Sequence, residues 1–156
     1  MTMSWPVRKH PSHQPTISRM HAPTILLVTV CVPERRHVLD RADVHSALCA
    51  AWESARQWRV GVYVIMPDHL HLFCSPAVHD HEPVGRWVRF WKSTVSRQFP
   101  QFKPLWQRDC WDTQMRNREH YDERLHYVRA NPIRAGLVTD PASWPYQGKL
   151  NDFPWM

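Results

Sequence analysis

Two short apolar runs joined by a Pro-Asp turn, over residues 62–74, form the clearest pattern in this chain. Both runs are rich in β-branched and aromatic residues, which predicts two strands and a β-hairpin. Side chains on a strand alternate between the two faces, so His69 and His71 are expected on one face and Leu70 and Leu72 on the other. The pattern therefore predicts two imidazoles side by side on one face of a sheet.

The spacing of apolar residues predicts further elements on either side of this hairpin. They are a buried strand at 24–32, an amphipathic helix at 42–58, a second helix at 84–99, a short edge strand at 110–116 and a third helix from Arg118 or Glu119 to Ala130. The third helix is expected to close at Asn131-Pro132, since a residue before proline disfavours the helical conformation. The order predicts an α+β, ferredoxin-like βαββαβ fold, with helices on one face of an antiparallel sheet and the other face free for a site.

The length of 156 residues predicts one domain with a sizeable core. Residues 1–23 are rich in Pro, His, Ser and Arg without periodicity and are expected to form a flexible N-terminal arm, either disordered or ordered on binding. The domain is expected at 24–147, followed by a short C-terminal tail at 148–156 that packs as extended chain.

A net charge of +6 and a pI near 9.5 favour a polyanionic partner, with nucleic acid as the leading class. The four cysteines are widely spaced, which is typical of reduced thiols in a cytoplasmic protein. The longest apolar run, at 25–32, is too short to span a membrane, and the N-terminus lacks the pattern of a signal peptide. A cytoplasmic protein without a membrane partner is therefore predicted.

A pair of histidines alone is weak evidence for a metal site, because eleven histidines make a chance His-x-His pair common. The third helix adds Tyr127 and Asn131, which share a helix face at a spacing of four. An amide oxygen suits a hard divalent ion beside two imidazoles. A tyrosine is a poor nucleophile unaided, but attack on a phosphodiester becomes feasible near a metal that polarises it.

Three blocks of the sequence resemble one bacterial family. They are residues 66–72 (MPDHLHL), Trp91-Lys92, and residues 127–138 (YVRANPIRAGLV). Together they resemble the REP-associated tyrosine transposases, which are single-tyrosine relatives of the HUH transposases and relaxases. The resemblance runs in order from about residue 24 to 147, and it implies the same fold.

The resemblance also implies roles for individual residues. His69 and His71 match the metal-binding pair, Asn131 the third metal ligand and Tyr127 the nucleophile, with Mg²⁺ or Mn²⁺ as the usual ion and no organic cofactor. Family members cut single-stranded DNA, often beside an imperfect hairpin, and leave a 5′-phosphotyrosine and a free 3′-hydroxyl. Either a monomer or a homodimer is compatible with this chemistry.

Four basic residues are candidate DNA contacts. Lys92 matches a position where the family tends to carry a basic residue, and Arg89, Arg108 and Arg116 are plausible phosphate contacts. For the helical residues the alternative is a solvated face. Relatives often carry a Gly-rich segment before the first strand, where this chain has residues 18–23 (SRMHAP), so a preference for hairpins stays open.

Two other functions compete with a transposase. A domesticated, non-catalytic DNA-binding protein would keep the fold without needing Tyr127, His69, His71 and Asn131 together. A metal-dependent nuclease that uses water would need no tyrosine. The presence of the whole set favours DNA-strand cleavage and rejoining through Tyr127.

Overall fold

The computed structural model describes residues 11, 13–19 and 22–155, so parts of the predicted arm and of segment 18–23 lie outside the described residues. The division into arm, domain and tail stays a prediction. The elements are β1 (Leu26–Cys31), α1 (Ala42–Ser54), β2 (Trp58–Ile65), β3 (His69–Pro76), α2 (Val84–Ser96), β4 (Trp111–Gln114), α3 (Arg118–Arg129), α4 (Asn131–Arg134) and β5 (Gln147–Lys149). Within the described ranges, no helix is both long and apolar enough to cross a membrane.

The described strands form one antiparallel sheet in the order β4-β1-β3-β2-β5. The first six elements follow the predicted βαββαβ order, which confirms the α+β fold class. The fifth strand was not predicted, because residues 147–149 are polar and carry no alternating apolar pattern. Position 148 of this strand requires glycine, because a Cβ there would clash with the Tyr63 hydroxyl oxygen at 2.7 Å.

A large apolar core lies between the sheet and helices α1 and α2. Tryptophans dominate it: Trp91 packs edge-to-face against Trp52 and against Trp87, with ring centroids 5.8 and 6.0 Å apart. Leu70 and Leu72 of β3 are fully buried on this side, as the alternation of the hairpin predicts. Because its leucines point into this core, β3 must present His69 and His71 on the opposite face.

The opposite face of the sheet is not free, contrary to the prediction. Helix α3 and the C-terminal segment cover part of it with a second apolar cluster, which includes Phe73, Tyr121, Val128, Trp144 and Phe153. The sequence did not show this because α3 is polar overall and only a few of its residues face the sheet. The histidines lie on the uncovered part of the face, at the edge of this cluster.

Tyr121 belongs to the second cluster and is fully buried against Phe73, with ring centroids 5.0 Å apart. Its hydroxyl finds no hydrogen-bond partner among the described residues, and burial raises the pKa of this phenol to about 12. We expect Tyr121→Phe to change the free energy of unfolding by less than about 1 kcal/mol, since the hydroxyl satisfies nothing. Urea unfolding of the two proteins measures this. A loss of several kcal/mol would mean that the hydroxyl has a partner.

The described part of the arm lies against β4. The Ile17 amide donates to Gln114 Oε1 at 2.9 Å, and Gln114 Nε2 donates back to the Ile17 carbonyl at 2.7 Å. His13 bridges two carboxylates, Asp109 at 2.8 Å and Asp112 by a short contact. These contacts fasten residues 13–19 along the exposed edge of the sheet.

The attachment of the arm is expected to depend on pH through His13. The hydrogen bond to Asp112, reinforced by Asp109 and opposed by burial, raises the pKa of His13 above 6.5. A group whose pKa is higher in the folded state stabilises the folded contact fully at a pH below its unfolded-state pKa. This stabilisation is lost as pH rises through the folded-state pKa. We therefore expect the NMR signals of the Ile17 amide and the Gln114 side chain to move to the positions of a detached arm as pH rises from below 6.5 through the raised pKa of His13.

His13→Gln is the control for this titration, because it removes the titrating ring and keeps a polar side chain. The pH-dependent movement of the two signals should vanish in that variant. The same transition in His13→Gln would assign it to another group.

Candidate metal and nucleophile site

The structure places His69 and His71 next to each other on β3, with ring centroids 4.9 Å apart and ring planes at 80°. The backbone of β3 is fixed by β1 and β2 on its two sides, since Cys31 pairs with His69 and Thr29 with His71 in the register. The two imidazoles therefore stand on a central strand of the sheet, where the backbone has little freedom to move.

Hydrogen bonds at both ends define the orientation of the His69 ring. Asp68 Oδ1 lies 2.7 Å from Nδ1, and the Asn131 side-chain amide nitrogen lies 3.0 Å from Nε2. An ionised carboxylate only accepts, so Nδ1 donates to Asp68, and the Nε2 lone pair accepts from Asn131. Asn131 therefore touches the imidazole from the side on which a metal ion would bind.

The His71 ring is held by β1. Thr29 Oγ1 lies 2.7 Å from His71 Nδ1, on the directly opposing residue of the register. In both rings Nδ1 is therefore engaged by a residue of the sheet or of the turn before it. Nε2 of His71 is the ring nitrogen left for a metal ion.

Burial keeps both imidazoles neutral. It lowers the pKa of His69, although the hydrogen bond to Asp68 opposes the shift. It lowers the pKa of His71 well below 6.5, with the positive charges of Arg134 and Arg35 acting in the same direction. A neutral imidazole has a lone pair to offer, and it is the form that binds metal ions.

These donors fit a divalent metal ion. Two neutral imidazoles with Nδ1 engaged elsewhere leave Nε2 for an ion, as in most histidine metal sites. Asn131 lies within hydrogen-bond distance of one of them, and a rotation of its amide would present Oδ1 in place of the nitrogen. Imidazole nitrogens suit divalent transition-metal ions, and an amide oxygen suits Mn²⁺ and Mg²⁺.

Tyr127 lies on α3, one helical turn before Asn131, and it is half-buried. The Arg134 guanidinium stacks over its ring at 3.7 Å from the centroid and donates from Nη1 to the Tyr127 carbonyl at 2.7 Å. The predicted end of the helix is close to the observed one, but Asn131 begins the short helix α4 instead of leaving the helical conformation. Arg134 of α4 is thereby brought back onto the tyrosine.

One cavity of about 930 Å³ contains the set predicted from the sequence. Its walls come from β1, β3, β4, α3 and the arm, and the residues that matter for chemistry are His69, His71, Tyr127, Asn131, Arg19, Arg35 and Arg124. The predicted metal ligands and the predicted nucleophile therefore share one open space. Three arginines give it the positive charge that a phosphate-bearing chain requires.

The four predicted phosphate contacts lie elsewhere, and their DNA-binding role stays a prediction. Lys92 is 9% exposed, and its ammonium donates to the carbonyls of Gln107 at 2.7 Å and Arg108 at 3.4 Å. Burial lowers the pKa of Lys92. Arg89 and Arg108 are exposed beside it and line a separate cavity of about 670 Å³. Arg116 is exposed after β4.

A second group of potential ligands, formed by His13, Cys110 and Asp112, lies by this separate cavity. One ligand atom from each lies within 4.8 Å of the others, an arrangement compatible with a divalent ion. Both nitrogens of His13 are engaged by carboxylates, and burial raises the pKa of the Cys110 thiol to about 12. In this structure His13 is paired with the carboxylates of Asp109 and Asp112, and these contacts hold the arm against the sheet.

Sequence reasoning missed the residues that support the site. Thr29 carried no signal, because a single threonine in the apolar strand β1 is compatible with any strand and lies 42 residues from His71. Asp68 and Arg134 were inside recognised blocks, but nothing in the pattern assigned them a contact. Arg35 lies outside the three recognised blocks. Such contacts depend on tertiary packing, which local periodicity does not record.

Comparison with known proteins gives two sequence relatives. A REP-associated tyrosine transposase of Escherichia coli is 26% identical over 94 residues, which cover 58% of this chain and 54% of the relative. A Haemophilus influenzae protein that carries the same name provisionally is 30% identical over 101 residues, which cover 56% of this chain and 57% of that protein. The chain thus spans little more than half of each relative. A scan against family models found no match.

A solved structure of a REP-associated tyrosine transposase bound to a REP hairpin superposes with a TM-score of 0.70 at 21% identity. The match covers 86% of this chain and 82% of that one, so the two share the fold. The present chain is similar in sequence to REP-associated tyrosine transposases over somewhat more than half of its length and shares the fold of the solved one. The cavity is lined by residues of two of the three sequence blocks, among them His69, His71, Tyr127 and Asn131.

Proposed function

We propose that this chain is a metal-dependent transposase that cuts and rejoins single-stranded DNA through a 5′-phosphotyrosine on Tyr127. The observation that carries the proposal is the shared cavity, in which Tyr127 faces the same space as His69, His71 and Asn131. The other described tyrosine of α3, Tyr121, is fully buried and cannot meet a DNA strand without unpacking the second cluster.

The residues that would hold the ion are His69 and His71 through Nε2 and Asn131 through its amide oxygen. A bound ion would supply charge withdrawal from the non-bridging phosphate oxygens and would ease departure of the 3′-oxygen. The sheet fixes both imidazoles in place, so this region of the cavity is organised before DNA arrives. Arg35 and Arg124 would attract the phosphates of the strand on either side.

In the cleavage step Tyr127 Oη bonds to the phosphorus and the bond from phosphorus to the 3′-oxygen breaks. The phenol loses its proton to solvent and the leaving 3′-oxygen gains one, so the step releases no net proton. Because the phosphodiester is replaced by another phosphodiester, a 3′-hydroxyl can attack the phosphotyrosine and reverse the step without ATP. Arg134 holds the ring of Tyr127 by stacking, which limits the positions of the attacking oxygen.

The substrate that we propose is a single strand next to a hairpin-containing repeat. The basic cavity supports a single-stranded phosphate chain, and a protein of this fold has been solved with a REP hairpin. The arm that borders the cavity at Gln14, Ile17 and Arg19 provides a further surface for DNA outside the cut site.

The direct test is formation of a covalent protein–DNA adduct. The protein is incubated with 5′- or 3′-labelled single-stranded DNA containing a hairpin, with Mn²⁺ or with EDTA, and resolved on a denaturing gel. We expect an adduct only with the 3′-labelled DNA, because a 5′-phosphotyrosine joins the protein to the fragment on the 3′ side of the cut. The adduct should form with Mn²⁺ and not with EDTA. Cleavage without adduct would assign hydrolysis by water, and binding without cleavage would assign a non-catalytic DNA-binding protein.

A further inference from the structure

The turn after β1 contains two residues in an unusual backbone conformation. Glu34 and Arg35 have φ values of 59° and 54°, a region that non-glycine residues rarely adopt. This conformation directs the Arg35 side chain back towards the β1–β3 pair, where Nε donates to Asp68 Oδ2 at 2.8 Å and Nη1 to Cys31 Sγ at 3.2 Å. The strained turn thus delivers a guanidinium to the carboxylate beside the candidate metal site.

Asp68 divides its two oxygens between two partners. Oδ2 accepts from Arg35, and Oδ1 accepts from His69 Nδ1 at 2.7 Å. The backbone carbonyl of Asp68 also accepts from the Val32 amide at 2.9 Å, which fixes the residue against the end of β1. A row of contacts therefore runs from Arg35 through Asp68 to the His69 ring.

Stability alone gives no reason for this arrangement. The Arg35 side chain is 55% exposed, and an ion pair with one exposed partner contributes little to folding. Residues held in strained backbone conformations concentrate where the surrounding structure has a function for them. The end point of this row of contacts is a proposed metal ligand.

We propose that the Arg35–Asp68 pair and Thr29 are positioning residues that fix the proton of each site histidine on Nδ1 and aim Nε2 into the cavity. Asp68 does this for His69, with Arg35 holding the carboxylate. For His71 the acceptor in this proposal is the Thr29 hydroxyl oxygen, which lies 2.7 Å from Nδ1. The inference rests on the proposed metal site, and none of these three residues is itself a ligand in it.

Two consequences follow from the geometry. If Asp68 becomes Asn, its amide can donate to Nδ1, and the ring can carry its proton on Nε2, where it blocks the metal. If Thr29 becomes Val, the shape is preserved and the acceptor for His71 Nδ1 is lost. Both changes act on the orientation and tautomer of a ligand without removing it.

The test measures Mn²⁺ affinity by electron paramagnetic resonance of the free ion, with ¹⁵N NMR of the histidine rings to identify the tautomer. We expect Asp68→Asn and Thr29→Val to weaken Mn²⁺ binding about 10- to 100-fold, the usual cost of losing such a partner. The ¹⁵N spectra of the metal-free proteins should show His69 and His71, respectively, leaving the Nδ1-protonated form. Arg35→Gln should weaken Mn²⁺ binding in the same direction but less.

Matched variants separate positioning from general damage. Asp43→Asn makes the same chemical change in an exposed ion pair on α1, 2.7 Å from Arg41, and should leave Mn²⁺ affinity unchanged. Thr29→Ser restores the hydroxyl and should recover the affinity that Thr29→Val loses. Melting temperatures identify any variant that is unfolded.

The outcomes distinguish the inference from the proposed function. A wild-type protein that binds no Mn²⁺ at His69 and His71 overturns the metal site itself. Wild-type binding that is unchanged in folded Asp68→Asn and Thr29→Val overturns the positioning role and leaves the metal site intact.

Discussion

Tyr127→Phe is expected to abolish the covalent protein–DNA adduct while leaving the fold and DNA binding intact. The substitution removes only the Oη atom, so the ring can still stack under Arg134 at the 3.7 Å separation of the native protein. Among the described residues that line the cavity, Tyr127 is the only tyrosine. Adduct formation should fall on the order of a thousandfold or more, the scale seen when a nucleophile is deleted. A denaturing gel measures the adduct, and fluorescence anisotropy measures binding.

Tyr121→Phe is the matched control, since it removes the same atom from the same helix, six residues earlier. Tyr121 is fully buried in the second cluster, so this variant should form adduct at the wild-type rate. An adduct that persists in Tyr127→Phe and disappears in Tyr121→Phe would require α3 to unpack during catalysis and would reject the assignment of the nucleophile.

Replacement of His69 and His71 by Ala is expected to remove Mn²⁺ binding and, with it, strand cleavage. The two rings provide two of the three proposed ligands, so Mn²⁺ affinity should fall by at least about 100-fold, more than the loss of a supporting partner costs. The two leucines between and after them stay in the large core, so the sheet should survive. Isothermal titration with Mn²⁺ and circular dichroism measure the two properties.

The separate group at His13, Cys110 and Asp112 supplies the control for this experiment. Cys110→Ser should leave the Mn²⁺ affinity of the main site and the cleavage rate unchanged. Mn²⁺ binding that survives in the double histidine variant and disappears in Cys110→Ser would move the metal centre to the sheet edge and contradict the proposed function.

The hairpin could be predicted because its information is local. Alternation on β3 decided which face carries His69 and His71, and the register with β1 repeats that alternation. The four-residue spacing of Tyr127 and Asn131 was equally local, and both residues do line one cavity. Short-range periodicity is therefore sufficient to predict which face of β3 and of α3 carries these side chains, while their roles as ligands and nucleophile stay a proposal.

The remainder depended on contacts between distant segments. Strand β5 forms because β2 offers an open edge, and nothing in the polar residues 147–149 indicates a strand. Lys92 was predicted as a phosphate contact, with a solvated helix face as the alternative, whereas its ammonium donates to the carbonyls of Gln107 and Arg108 in a distant loop. In each case the decisive partner lies elsewhere in the chain.

The two apolar clusters lie on opposite faces of the sheet and draw on different parts of the chain. The cluster beneath α3 depends on residues near the end of the chain, including Phe153 and Trp144, whose indole donates to the Ile65 carbonyl at 2.9 Å. The larger cluster beneath α1 and α2 draws on them little. The apolar support beneath the tyrosine helix is therefore built largely by the last described segment of the chain, whereas the larger core is not.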